Sequence, residues 1–151
     1  MLALLLLALE GSAVTAAPSG GECLAAMARA ETSLVARGAR VQVVRGTADS
    51  PHNPHTGKDT VVFRLDSTQP SDQVQRRTGA VMVMTNAPLQ DGLAKDLFSA
   101  CPQLVEVTFN MAGTDEATTL FRGADGSLLP GVCLEIGISD TWPTWGELYC
   151  P

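Results

Sequence analysis

The sequence predicts a single α+β domain, in which a mostly antiparallel sheet of five or six strands carries two helices on one face. The main observation is that segments with strand periodicity are bunched together along the chain, and do not alternate strictly with helical segments. The length of 151 residues suits one domain that buries a core of its own. With 45% hydrophobic and 17% charged residues, the composition is that of a globular protein.

Two segments have the periodicity of helices. Residues 22–37 carry apolar side chains at helical spacing, and Gly38 is a typical C-terminal cap, so we expect the first helix to end there. The second helix is predicted to begin at about Asn86, which is a favourable N-cap. Its apolar positions follow helical spacing until Cys101, where Pro102 ends the pattern.

Six apolar segments are predicted to be strands because they are short and either β-branched or alternating. In residues 104–111 the alternation is regular and places Val107 and Phe109 on the inner side. Residues 80–84 (AVMVM) are apolar on both sides, which predicts a central strand covered on both faces. The last two segments should form a hairpin that turns at residues 123–126. The other predicted strands are residues 40–45, 60–65, 118–122 and 127–136.

The start of the chain has the character of a signal peptide. Residues 2–9 are entirely apolar, but the stretch is too short to span a bilayer, which takes about 20 apolar residues. Small residues suited to signal peptidase follow and end at Ala16, although no Lys or Arg precedes the apolar stretch. We therefore expect a signal peptide at 1–16 and a secreted or periplasmic domain at 17–151, without membrane attachment after cleavage. The alternative is that this stretch forms the first turn of a buried helix.

The four cysteines agree with export. All of them lie after the predicted cleavage site, their number is even and none forms a CxxC motif, which indicates disulfides instead of a zinc or redox site. Four cysteines allow three connectivities. We prefer Cys23–Cys101, which joins the two predicted helices, and Cys133–Cys150, which closes the C-terminal tail. Four buried thiols in a cytosolic protein would require the N-terminal signal to be accidental.

The charge excludes one class of partner. The formal net charge is −6 and the basic residues are scattered along the chain. Nucleic acids and anionic membranes need clustered Lys and Arg, so neither is expected as a partner.

A polar loop contains both histidines, His52 and His55, with Asp49 and Asp59 nearby. Two imidazoles and two carboxylates are suitable ligands for zinc or copper. However, Pro54 lies between the histidines and prevents their regular placement on one face of a helix or strand. The preferred interpretation is an exposed, turn-rich loop, and no metal or other cofactor is expected.

The tail is rich in aromatic residues, because Trp142, Trp145 and Tyr149 all lie in the last ten positions. Such side chains stack on sugars or flat ligands and anchor protein partners, which makes them candidate binding residues. The preferred interpretation is structural: an extended tail, held by Cys150, whose indoles cover the end of the sheet.

Several features together resemble small exported cyanobacterial proteins that have no assigned function. The resemblance covers most of the predicted domain and implies export, but it implies no activity, ligand or catalytic residue. The features are Cys23 in an Ala-rich helix, the strand with Val105, Val107 and Phe109, the turn at Asp125-Gly126, Cys133, and Trp145-Gly146 separated from Cys150 by three residues.

The sequence contains no motif of nucleophilic catalysis or nucleotide binding, such as GxSxG, a P-loop or a Rossmann fingerprint. We therefore expect a non-enzymatic module that binds a protein or a small ligand. The alternative is a metal- or carboxylate-dependent hydrolase of the cell envelope that uses the loop of His52 and His55. A small protein inhibitor is a third hypothesis, based on fold analogy alone.

Overall fold

The computed structural model describes residues 20–48, 55–66, 73–134 and 143–149. These ranges contain three helices and seven strands. The helices are α1 (Gly20–Val35), α2 (Gln73–Met84) and α3 (Ala87–Ala100). The strands are β1 (Arg40–Thr47), β2 (Asp59–Asp66), β3 (Leu104–Met111), β4 (Ala117–Arg122), β5 (Leu128–Pro130), β6 (Val132–Leu134) and β7 (Glu147–Tyr149).

The main sheet has five strands in the order β1-β2-β3-β4-β5. Three of its four pairings are antiparallel, and only β2 and β3 run parallel. A parallel pair needs a long crossover connection, and the chain between β2 and β3 contains α2 and α3. The prediction of an α+β domain with a mostly antiparallel sheet is confirmed. In addition, β6 and β7 form a separate parallel pair.

One face of the sheet forms the core with the helices, and we call it the helix face. Phe63 of β2 and Phe109 of β3 are opposite each other in the register, both fully buried, with ring centroids 5.5 Å apart. Alternate residues of each strand point to this face. Buried side chains of all three helices, including Leu34, Val83 and Leu97, belong to the same apolar cluster.

The opposite face, called the open face below, is mostly polar. The strand alternation and the register place on it Arg40 and Gln42 of β1, Val62 and Arg64 of β2, Glu106, Thr108 and Asn110 of β3, and Thr119 and Phe121 of β4. No helix of the described ranges belongs to this face of the sheet, and among the described residues the C-terminal segment contacts it through Trp145.

The helices α1 and α3 agree with the sequence prediction to within two residues at each end. The side chain of Asn86 caps α3 by accepting a hydrogen bond from the backbone N–H of Leu89 at 3.1 Å. Gly38 has a φ of 82°, a left-handed conformation that glycine adopts without strain, and it follows the last turn of α1.

A disulfide joins Cys23 of α1 to Cys101 after α3, as predicted. It is one of the two predicted disulfides. Cys133 is not a free thiol, but Cys150 lies outside the described residues, so their pairing stays a prediction. The predicted signal peptide at 1–16 also lies outside the described residues.

The prediction of a central strand at residues 80–84 is wrong, since these residues form the last turns of α2. For the same reason the sheet carries three helices and not two. Ala80 and Val83 are fully buried, whereas Val81 and Met82 are 40% and 55% exposed. This burial at a spacing of three residues is helical, and a five-residue apolar run does not distinguish it from a strand.

The position of α2 depends on a close backbone contact at Gly79. A Cβ atom at this position would lie 2.3 Å from the carbonyl carbon of Gly38 and 2.6 Å from the backbone nitrogen of Ala39. Glycine therefore lets α2 approach the turn between α1 and β1. The side-chain amide of Gln90, which is 2% exposed, donates to the carbonyl of Val83 at 3.0 Å and so ties the end of α2 to α3.

In the described ranges, no helix is both long and apolar enough to cross a membrane.

Candidate functional site

The side chain of Trp145 attaches the C-terminal segment to the open face. Its indole N–H donates to the backbone carbonyl of Arg122 at 2.9 Å. Its ring lies edge-on to Phe121, with centroids 4.7 Å apart, and 4.4 Å from the ring of His55. Three rings from distant parts of the sequence therefore form one cluster at the end of β4.

The short strands β6 and β7 hold this segment in place. The backbone N–H of Gly131 donates to the carbonyl of Thr119, and that of Val132 donates to the carbonyl of Gly146, both at 2.8 Å. The chain thus leaves β5, pairs with the C-terminal segment and brings Trp145 back over β4.

Between this segment and the sheet lies a cavity of about 140 Å³, which we call the Trp145 cleft. Trp145 and Phe121 form its aromatic wall, and Leu148 adds an aliphatic contact. Two carboxylates, Glu106 of β3 and Glu147 of β7, line the same cleft. The rest of the lining is Pro143, Thr144 and Gly146.

Glu106 is half-buried at the junction of the sheet and the C-terminal segment. Burial raises the pKa of its carboxyl, because removal from water disfavours the charged form. A hydrogen bond from the Thr108 hydroxyl to Oε1, at 3.3 Å, opposes this shift. The folded protein therefore favours the protonated form of this carboxyl more than water does.

Glu147 has the opposite electrostatic environment. Its Oε2 accepts hydrogen bonds from the backbone N–H and from the hydroxyl of Thr144, both at 2.8 Å. These bonds stabilise the carboxylate and lower its pKa. The cleft thus contains one carboxyl group that is stabilised in the charged form and one that is not.

In the described part of the chain, no Lys, Arg or His side chain lines the Trp145 cleft. The cleft combines an indole, a second aromatic ring and two acidic groups. Aromatic faces and carboxylates both attract cations, so this lining suits an ammonium or guanidinium group.

The structure brings together two residues that the sequence analysis assigned to different candidate sites. His55, a proposed metal ligand, lies against Trp145, a proposed binding residue. The second described candidate for metal binding, Asp59, begins β2, where its backbone N–H donates to the carbonyl of Gln103 at 2.9 Å. Tyr149 ends β7.

The other candidates, Asp49, His52 and Trp142, lie outside the described residues. Within the described ranges, no group of three or more His, Cys, Asp or Glu side chains is placed to hold a metal ion. The metal site at His52, His55, Asp49 and Asp59 therefore stays an untested alternative to the exposed, turn-rich loop that the sequence favours.

The sequence analysis missed Glu106, Glu147 and Phe121 as cleft residues. The alternation of β3 does indicate that Glu106 points away from the core. Nothing in the sequence indicates that the C-terminal segment returns to the same side of the sheet.

Comparison with known proteins does not extend this description. No family model, no curated protein and no solved structure matches the chain.

Proposed function

We propose that this protein is an exported, non-enzymatic binding domain whose Trp145 cleft receives a positively charged group of a partner. The observation that carries the proposal is the lining of the cleft, where Glu106 and Glu147 face the same cavity as the Trp145 indole. A cation placed there gains attraction from two carboxylates and from an aromatic ring.

The size of the cleft favours a protein partner over a free small molecule. Pockets for small ligands typically have volumes of about 300–1,000 Å³, whereas this cleft has about 140 Å³. Such a volume admits the end of a Lys or Arg side chain. The partner we propose is therefore a protein that presents a basic side chain on its surface.

Four features support export. The Cys23–Cys101 disulfide is compatible with an oxidising compartment outside the cytoplasm. The sequence predicts a signal peptide at 1–16 and a second disulfide between Cys133 and Cys150. The resemblance to small exported cyanobacterial proteins has the same implication, and we place the domain in the periplasm or outside the cell.

The cleft is tested by titration of the ¹⁵N-labelled protein with Nα-acetylated arginine amide and, as a neutral control, Nα-acetylated citrulline amide, called arginine amide and citrulline amide below. We expect arginine amide, and not citrulline amide, to shift the indole N–H cross-peak of Trp145 in a saturable manner. This cross-peak is identified as the one missing from the spectrum of W145F. The shift should be strongly reduced in E106Q and unchanged in E116Q, since Glu116 is an exposed carboxylate in the turn before β4. Equal shifts with both amides would contradict the proposal.

The pH dependence gives a second readout of the same site. A bound cation stabilises the charged form of Glu106, whose pKa is raised in the free protein. Affinity for arginine amide should therefore increase as the pH rises through the pKa of Glu106. In E106Q this dependence should disappear, and an unchanged pH dependence would show that Glu106 is not the group involved.

One observation favours a second candidate function, a carboxylate-based glycoside hydrolase. Two acidic groups in one cleft with pKa values shifted in opposite directions are the arrangement of a general acid and its partner carboxylate. However, Oε2 of Glu147 already accepts two hydrogen bonds within its own turn. Release of reducing sugar from cell-envelope polysaccharide by the protein, lost in both E106Q and E147Q, would favour this function over binding.

A further inference from the structure

A second groove lies on the helix face, between α3 and the hairpin of β4 and β5. Its volume is about 300 Å³, which is within the range of small-ligand pockets. Its lining consists of Lys95, Phe98 and Ser99 of α3, Arg122 of β4, Gly126 of the turn, and Leu128 of β5.

Arg122 uses only part of its hydrogen-bonding capacity within the fold. Its Nε donates to the carbonyl of Leu104 at 2.9 Å, and its Nη2 donates to the carbonyls of Phe98 and Cys101. A guanidinium has five N–H donors, so these three bonds leave the two donors of Nη1. No described residue accepts from Nη1, and no buried side-chain nitrogen in the described ranges lacks a partner, so Nη1 is accessible to solvent.

In the part of the chain that the structure describes, no carboxylate neutralises the positive charge of Arg122. Its three partners are backbone carbonyls, and its guanidinium also lies 5.1 Å from the centre of the Phe98 ring. Within the described ranges, the only ion pair joins Arg40 and Asp66, on the open face.

Lys95 adds a second cation without a carboxylate partner. Asp91 lies one turn earlier on α3, at the spacing that allows an ion pair, yet no such pair is formed. The groove thus contains two cations and the Ser99 hydroxyl, with no acidic lining residue in the described part of the chain, although the net charge of the protein is −6.

We propose that this groove binds an anionic group, a carboxylate or a phosphate, that is attached to a short apolar chain. Lys95 and Nη1 of Arg122 would hold the anion, with the Ser99 hydroxyl as an additional donor. Phe98 and Leu128 line the same groove and would contact the apolar part of the ligand. This site is separate from the Trp145 cleft and does not depend on its function.

The test is a titration of the ¹⁵N-labelled protein with butyrate, acetate and inorganic phosphate, at constant ionic strength with chloride. We expect saturable shifts of the backbone amides of Lys95, Ser99, Gly126 and Leu128. Tighter binding of butyrate than of acetate identifies an apolar carboxylate as the ligand class, and tightest binding of phosphate identifies a phosphorylated ligand. If none of the three anions gives saturable shifts at these amides, the proposal is wrong.

Substitution of Lys95 distinguishes binding at the groove from a general salt effect, because a salt effect would not depend on this one side chain. Lys95 is exposed, so we expect its variants to fold. We expect K95Q to weaken binding about fivefold, the effect of removing one solvent-accessible ion pair. K95E should abolish it. The matched control is K58Q, at a lysine outside the groove whose Nζ donates to Gln103 at 2.7 Å. Equal affinity of K95Q, K95E and K58Q for the anions would overturn the proposal.

Discussion

The two faces of the sheet differ in the polarity of their residues and in how they are covered. On the helix face, apolar side chains from three helices and the central strands form one buried cluster, and a disulfide joins two of the covering segments. On the open face the strands carry polar residues, and a few contacts of Trp145 hold the C-terminal segment near one end. Stability should therefore reside mainly on the helix face.

This difference between the two faces indicates where the molecule can place charged side chains that bind a ligand. A tightly packed apolar face leaves no room for charged residues that lack a carboxylate partner, except at its border, where Arg122 and Lys95 line a groove. The open face leaves Glu106 only partly covered, and the cost of its burial is not offset by a positive partner within the cleft. The predictions below test this division.

The largest difference between the faces is expected for residues of adjacent strands. F109A removes a fully buried ring from the helix face and should lower the free energy of unfolding by about 3–5 kcal/mol. V62A, on the open face of β2, is the control and should lower the free energy of unfolding by about 1 kcal/mol or less. Urea unfolding of both variants measures the difference. Equal losses would mean that the open face is also a core.

Loss of the Cys23–Cys101 disulfide should have the next largest effect. The double variant C23S/C101S frees a loop closed over a sequence separation of 78 residues. Disulfides typically contribute about 2–4 kcal/mol, and long loops lie near the upper end. Thermal unfolding of the variant would detect this loss. An unchanged melting temperature would show that packing alone holds α1 against α3.

Two glycine substitutions test the packing of α2 on the helix face. In G79A the new Cβ meets the backbone of Gly38 and Ala39, and we expect a loss of about 1–3 kcal/mol in the free energy of unfolding.

Gly92 in α3 is the matched control for Gly79, because a Cβ there has no heavy atom within 4 Å. G92A should stabilise the protein by about 0.5–1 kcal/mol through the higher helix propensity of alanine. Chemical denaturation compares the two variants. If G79A is also stabilising, α2 does not pack against the turn after α1.

The smallest effect concerns Glu106 on the open face. Because the pKa of Glu106 is raised in the folded state, its protonated form favours folding, and stability falls as the pH rises through that pKa. The E106Q variant lacks this titration and should be at least as stable as the original protein at neutral pH. The difference between the two unfolding free energies, measured from pH 4 to 8, should grow with pH. A difference that shrinks with rising pH would mean that the folded state stabilises the carboxylate.

Elements defined by local signals could be predicted. The alternation of β3, the Asn86 cap and the Gly38 terminus depend on residues within a few positions of one another, and the structure agrees with each. The disulfide between Cys23 and Cys101 is the preferred one of three possible connectivities, because it joins the two predicted helices, and the structure contains it. These features are properties of the backbone and of hydrophobic periodicity.

The sequence by itself determined the α+β class, the alternation of β2 and β3 and the positions of α1 and α3, since these depend on short-range periodicity and capping. Only the tertiary structure decided that residues 80–84 are helical, because the backbone approach at Gly79 and the burial of Val83 involve distant segments. It also decided which residues form the aromatic cluster and the Trp145 cleft. His55, Glu106, Phe121 and Trp145 span most of the described chain, and no local pattern encodes which of them meet.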